Sequence, residues 1–433
     1  MCANSNYVPV ADFYAGKSVF ITGGAGYLGK VILEKLLYSC PLVDKIYVLL
    51  RDKRNITAEQ RLKNILALPI FARLQAVRPQ DLDKIVIIKG DIKLPGLNLS
   101  ETDMNTIIEK VSIVIHSAAS IKFNDPCKVA LEANYEGTKN LINICHQIKN
   151  IKAFVYMSTA YSNTDKKVIE EVLYPPPSSV EEAYKFAELT NVDEKELIKF
   201  LNGRPNTYTF TKAMAENLVA ETHGNIPSVI IRPSIVTPSI KEPIEGWVDN
   251  WFGATGLVTL LAKGICRAVY ADKNSVMDLI PVDYVSNLTI VAATRAKGSE
   301  VNFYNSCSGE LNPITSYRFG NLFVKEKSIP WPNLHIYTKN KFLILLTDIN
   351  HTFTLTFAFR LTKYLTQAIT IAELLEYFTT NQWTMRSSKT LDLYASLSSE
   401  DASIFPFNPK DICWDDYIPS YFHGVSNYLI KNN

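Results

Sequence analysis

Pairing signals for cysteine are missing. The seven cysteines (Cys2, Cys40, Cys127, Cys145, Cys266, Cys307, Cys413) are odd in number, widely scattered and form no C-x-x-C step. A disulfide framework or a thiolate zinc site is therefore not expected, and a reducing compartment is. The six histidines offer no H-x-x-x-H spacing, so no metal is expected either. Net charge is almost absent: 45 basic against 43 acidic residues leave +2. No field of that size draws nucleic acid or an anionic membrane surface, and any anionic ligand must be gripped locally. The opening stretch MCANSNYVPVADFYAGKS has no basic start leading into an apolar core, so no secretory leader is expected and the protein is expected to stay inside the cell. Long apolar runs are lacking too. FLILLTDINHTFTLTFAF (Phe342 to Phe359) is interrupted by Asp348, Asn350 and His351, and WFGATGLVTLLA (Trp251 to Ala262) is short of the ~18 residues a spanning helix needs.

What is present suffices for a folded core. With 433 residues, 47% of them hydrophobic and 20% charged, the chain is expected to form one large domain and a smaller one, or two domains. KSVFITGGAGYLGKVILEKLL gives a strand over Ser18 to Thr22, a glycine-rich turn and a helix over Tyr27 to Leu37. Gly23, Gly26 and Gly29, with Thr22 before them and Tyr27 and Leu28 opening the helix, are the arrangement that brings backbone and helix N-terminus to a pyrophosphate. The second strand, KIYVLLRDK, ends in Arg51 about 20 residues beyond Gly29, where enzymes using the unphosphorylated dinucleotide carry a carboxylate. A guanidinium there forks onto a ribose 2'-phosphate, which favours NADPH, with Asp52 as a competing signal.

KIVIIKGDI (Lys84 to Ile92) and VSIVIHSAAS (Val111 to Ser120) read as two more buried strands. Their ends put Asp91 and Ile92 near an adenine and Ala118 and Ala119 where a cofactor passes close to the backbone. His116 lies inside its strand and reads as a satisfied core histidine. EANYEGTKNLINICHQI reads as a helix, and KAFVYMSTAYSN as a fifth strand ending at Ser158 and Thr159. Strands and helices alternating at these lengths predict an α/β fold with a doubly wound, Rossmann-type parallel sheet.

TYTFTKAMAE then places Tyr208 and Lys212 four residues apart on one helix face. With a hydroxyl at the end of the fifth strand, such a pair makes a reductase site. The ammonium eases proton release from Tyr208 and holds the nicotinamide ribose, while Thr159 or Ser158 donates to the substrate carbonyl.

At TGGAGYLG, STAY and YTFTK the chain resembles the extended short-chain dehydrogenase/reductases. RPSIV (Arg232 to Val236), PVDYV (Pro281 to Val285) and the run from LEYFTTNQW to FPFNPKDICWDDYIPSYFHGVSNYLIK look like the alcohol-forming fatty acyl-CoA reductases. The resemblance implies an NADPH-binding reductase domain over residues 12–300 and a smaller, mainly helical C-terminal domain over 335–433. It implies reduction of a long-chain acyl-CoA by two NADPH to a primary alcohol through an aldehyde. Tyr208 is then the proton donor, Lys212 its partner, and Thr159, with Ser158 beside it, the carbonyl donor. The family works at the endoplasmic reticulum or peroxisome, so peripheral membrane contact follows.

Two departures stand out. The segment between PWPNL (Pro330 to Leu334) and LEYFTT (Leu375 to Thr380) is shorter than usual, and the apolar anchor that some members carry after the equivalent of Lys431 is not seen. The long stretch between Thr159 and Tyr208 reads as a substrate-side flap. Trp247, Trp251 and Phe252 read first as core and second as acyl-channel lining. Two alternatives stay open: another NADPH-dependent extended reductase acting on a sterol, flavonoid or sugar nucleotide, and an inactive dinucleotide-binding paralogue.

Overall fold

Each apolar run of the N-terminal half becomes a parallel strand. A computed structural model of the chain describes residues 7–53, 55–251, 253–262, 268–325, 336–338 and 373–430. The strands are β1 (Ser18–Thr22), β2 (Ile46–Leu50), β3 (Ile85–Lys89), β4 (Val111–His116), β5 (Ala153–Met157), β6 (Ser228–Pro233) and β7 (Asn302–Ser306). They form one seven-stranded sheet in the order β7-β6-β5-β4-β1-β2-β3, with every neighbouring pair parallel. Strand order reverses between β1 and β4, the crevice where open α/β sheets bind ligands. Both faces of β1, β2, β4 and β5 are buried, which is why these strands read as continuous Val/Ile/Phe runs without alternation.

Helices fill the faces. Helix α1 (Tyr27–Ser39) follows β1 and buries Val31, Ile32, Leu33, Leu36 and Leu37. Helix α2 (Ala58–Leu66) is capped by Thr57, whose hydroxyl accepts from the Gln60 N–H. Helix α3 (Thr207–Thr222) is capped by Asn206, which accepts from the Thr209 N–H at 2.9 Å, and it is buried almost all round. The run over Cys127–Cys145 is helical but carries a π-turn at Glu132–Glu136, a distortion common at functional sites.

Two compact units interleave along the chain. One comprises residues 1–233, 283–306 and 386–407, the other 234–282, 307–385 and 408–433. The sequence reading draws a reductase domain over residues 12–300 and a C-terminal domain over 335–433. In the second unit, strands Ile235–Thr237 and Leu279–Pro281 pair in parallel, and Tyr417 of helix Trp414–Gly424 donates to the Pro238 carbonyl at 2.6 Å. Gly424 is required there: a Cβ would lie 1.7 Å from the Gly246 carbonyl oxygen. The described C-terminal part is mainly helical, with Ser388–Ala395, Ser399–Ile404 and Trp414–Gly424. Trp247 is buried as core, Trp251 is exposed, and Phe252 and the Phe342 to Phe359 run lie outside the described residues. Among the described residues no helix is long and apolar enough to cross a membrane.

Candidate active site

The β1–α1 turn is shaped by contacts that only glycine permits. Gly23 adopts φ +78°, and a Cβ on it would come within 2.6 Å of the Ala118 nitrogen at the end of β4. A Cβ on Gly29 would sit 2.2 Å from the Gly23 carbonyl oxygen, so this glycine lets α1 close onto the turn. Gly26 donates its N–H to the Gly23 carbonyl at 2.8 Å and stands at the N-cap of α1, where no side chain caps the helix. That leaves the positive end of α1 without an acidic or hydroxyl cap, the feature an anionic ligand exploits. Tyr27, Leu28 and Ala119 are half-buried around the turn. Thr22 secures the base: its hydroxyl meets His116 Nδ1 at 2.6 Å and accepts from the Ala118 N–H at 3.4 Å. The residues present fit a dinucleotide pyrophosphate.

His116 is held between two hydroxyls, with Nε2 3.1 Å from Thr138 Oγ1. Burial, with the Lys212 charge adding to it, pushes its pKa down to about 3, so the ring stays neutral and structural, as read from its place in the strand.

At the end of β2 the structure pairs two residues that the sequence treats separately. Arg51, largely exposed, bonds Asp91 at 2.6 Å. Asp91 also accepts from the Lys93 N–H at 3.1 Å, so its carboxylate serves the loop and Arg51. The competing signal, Asp52, turns away and accepts from the Ala58 N–H at the start of α2 at 2.8 Å. A second guanidinium that sequence reasoning missed, Arg61 of α2, donates to the Arg51 carbonyl. Burial and the neighbouring Arg51 both depress its pKa. Ile92 packs under the helical run, 3.1 Å from where a Gly137 Cβ would stand, and its carbonyl accepts from Asn140.

The candidate reacting groups gather at the end of β5. Burial pushes the pKa of the Tyr208 hydroxyl up to about 12, against the pull of the neighbouring Thr159 side chain, whose Oγ1 accepts from the Tyr161 N–H at 3.3 Å. Phe123 stacks on the Tyr208 ring at 5.9 Å between centroids. Lys212 lies one turn along α3, buried, with Nζ donating to the Met157 carbonyl at 2.6 Å and lying 4.6 Å from the Tyr156 ring centre. Burial pulls its pKa down to about 7, opposed by Glu216, so its charge is poised near neutrality. Ser158 is directed elsewhere, donating to Glu216 Oε1 at 2.5 Å. Of the two candidate hydroxyls, Thr159 is the one that neighbours Tyr208.

Asn134, inside the π-turn, is another residue the sequence reading missed. Its amide donates to the Ser120 carbonyl and to Thr211 Oγ1, both at 3.0 Å, and accepts from the Ser120 N–H at 2.8 Å. It ties the loop after β4 to α3 beside Lys212. The stretch after Thr159 carries two short helices, Val180–Ala187 and Glu194–Phe200, each opened by a capping box. Phe186 stacks on Phe200 at 3.8 Å and Phe200 meets Phe210 of α3 at 4.9 Å, so this expected flap is bolted to the helix that carries Tyr208.

A parallel sheet with a glycine turn at its switch point, and Thr, Tyr and Lys side chains together at the end of β5, defines an extended short-chain dehydrogenase/reductase. Solved structures agree on the fold. The terminal R domain of the myxalamid PKS-NRPS pathway superposes with a TM-score of 0.67 at 21% identity, covering 95% of this chain and 91% of that one. UDP-glucuronic acid 4-epimerase from Bacillus cereus, in complex with NAD, gives 0.57 at 15% identity over 95% and 99%. Two family models described as male sterility protein match, an NAD-binding one over residues 21–289 and a second over residues 343–432. The chain is 35% identical to fatty acyl-CoA reductase 1 of Xenopus laevis over 98% of its own length and 86% of that protein's. It is 34% identical to fatty acyl-CoA reductase 1 of Homo sapiens over 98% and 87%. The chain belongs to the fatty acyl-CoA reductase family, and its cofactor is a nicotinamide dinucleotide.

Proposed function

We propose that the protein reduces a long-chain fatty acyl-CoA to a primary alcohol and free CoA, using NADPH twice. The observation that carries this reading is the gathering of Tyr208, Thr159 and the Lys212 ammonium at the end of β5, in a chain of this family.

The dinucleotide supplies the hydride to the carbonyl carbon when bound. Gly23, Gly26 and Gly29 take its pyrophosphate against the N-terminus of α1, with Thr22, Tyr27, Leu28, Ala118 and Ala119 around it. Asp91 and Ile92 border the adenine side. Arg51 and Arg61 favour the 2'-phosphate, because both guanidinium groups stand at the end of β2 while Asp52 is engaged by α2. Arg51 exchanges its bond to Asp91 for the phosphate.

Thr159 donates to the thioester carbonyl oxygen, and Tyr208 gives that oxygen its proton as the C–O bond becomes single. Lys212, charged, favours the resulting phenolate. The product of this step is a hemithioacetal. Tyr208 takes the proton back as the C–S bond breaks, releasing CoA as its thiol after protonation and leaving the aldehyde. A second proton from Tyr208 to the aldehyde oxygen completes the alcohol. In this reading residues 12–300 bear dinucleotide and chemistry and residues 335–433 the acyl-side domain. A product that partitions into lipid makes peripheral contact with endoplasmic reticulum or peroxisomal membrane the expected setting.

The test is purified protein with NADPH and acyl-CoA thioesters of several chain lengths. Alcohol formed at two NADPH oxidised per CoA released supports the reading. Demonstrable dinucleotide binding with no oxidation at any chain length rejects it.

A further inference from the structure

Behind Lys212 lies a buried ion pair that the reaction as written does not use. Glu216, one turn beyond Lys212 on α3, and Arg232, at the end of β6, are both almost fully buried. Arg232 grips the carboxylate with two donors, Nε to Oε1 at 2.8 Å and a terminal nitrogen to Oε2 at 2.7 Å. Oε1 also accepts from Ser158 at 2.5 Å and Ser162 at 3.1 Å, the residues flanking the turn that presents Thr159. Arg232 further donates to the Glu170 and Val172 carbonyls, each at 2.9 Å, fastening the start of the flap.

We propose that Glu216 is a positioning residue for the reductase site: clamped by Arg232, its carboxylate holds the turn after β5 and sustains the Lys212 ammonium. The argument rests on the Tyr208–Lys212 reading above. A buried ion pair is no better for stability than apolar packing, so its presence at the end of β5 calls for another role. Residues at i and i+4 share a helix face, which sets the carboxylate along the same side as the lysine. Among the described residues, the other groups facing Lys212 give it no negative charge. On its own helix stands Tyr208, a phenol held un-ionised; β5 contributes Tyr156, likewise un-ionised, and β4 contributes the neutral His116. From β6 Arg232 brings a like charge, held on the Glu216 carboxylate. Glu216 is the carboxylate that offsets the burial of Lys212.

The experiment follows binding of NADPH to the full chain by nicotinamide fluorescence between pH 6 and 10, in wild type and in E216Q, E216D and R232M. Wild type loses affinity on the alkaline side as Lys212 gives up its proton. In E216Q that limb moves to lower pH by about one unit, because one compensating charge is gone. In R232M it moves the other way, and E216D leaves it in place. Opposed shifts are what a scaffold role does not produce, since loss of packing weakens binding at every pH alike. A limb that stays put in both E216Q and R232M, or moves in E216D as far as in E216Q, overturns the proposal. If one neutral variant fails to fold, the sign of the other's shift decides. Wild type that binds NADPH with this limb but leaves acyl-CoA unreduced sinks the proposed function and not this inference.

Discussion

Gly29→Ala sets two effects of known size against each other. Alanine is worth ~1 kcal/mol over glycine in a helix interior, so at an open helical position the exchange stabilises. At Gly29 the new Cβ meets backbone on both contacts, 2.2 Å from the Gly23 oxygen and 2.7 Å from the Gly24 Cα, and neither yields without opening the turn. Forced overpacking costs ~1–3 kcal/mol, which cancels or outweighs the gain. The net expectation is a protein destabilised by ~0–2 kcal/mol whose pyrophosphate cradle is spread. Dinucleotide affinity should fall at least tenfold, about 1.4 kcal/mol. The control is Gly137→Ala, also helical, whose Cβ would meet only the Ile92 side chain, 3.1 Å away at its Cδ1 end. That variant should keep dinucleotide affinity and hold or raise stability. Denaturant midpoints and nicotinamide fluorescence titrations on the pair settle the matter. A Gly29→Ala protein that binds as wild type does would refute the role given to this close approach.

Tyr208→Phe removes the proton donor and leaves the ring on Phe123; turnover should drop ~10²–10⁴-fold with NADPH affinity nearly intact, and retained turnover excludes the donor role. Thr159→Val should lower kcat in a folded protein, whereas Ser158→Ala, which strips a donor from Glu216, should show mainly in the denaturant midpoint. Arg51→Glu should weaken NADPH far more than NADH, and equal losses would remove the 2'-phosphate role. His116 has a folded pKa of about 3 against an ordinary value near 6.5. Below pH 6.5 the unfolded chain therefore binds a proton that the native state refuses, and stability falls as pH drops toward 3, by up to ~1.4 kcal/mol per pH unit from this group. Above pH 6.5 that stability is fully present. His116→Asn should show a shallower acid slope in urea midpoints, and an unchanged slope assigns the titration to other groups.

Much of the fold was legible because its signals are local. β1 and β4 are apolar runs, and the sequence reading placed β1 where it stands and started β4 correctly at Val111, but carried it to Ser120 where the strand ends at His116. Tyr208 and Lys212 needed only the i, i+4 rule to be placed together. What was not legible depends on contacts distant in sequence. Arg61 reaches Arg51 through the return of α2, and Arg232 reaches Glu216 only because β6 lies beside β5. Glu216 did carry a local trace, standing four residues after Lys212, but a carboxylate on a helix ordinarily faces solvent. Gly24 shows the converse. It falls outside the Gly23, Gly26, Gly29 spacing, yet it is fixed by packing, since a Cβ there would lie 2.7 Å from Val48 Cγ1. The π-turn at Glu132–Glu136 has no counterpart in composition. It matters because it aims Asn134 at Ser120 and Thr211.

The central claim is that one Tyr–Lys site delivers two reductions to the same carbon. NADPH carrying deuterium at the transferred position, incubated with the protein and a long-chain acyl-CoA, tests it directly by mass spectrometry of the lipid product. The account predicts a primary alcohol with two deuterons on C1 in the wild type and none formed by Tyr208→Phe. A product that stops at singly deuterated aldehyde, or an alcohol bearing one deuteron, would contradict it.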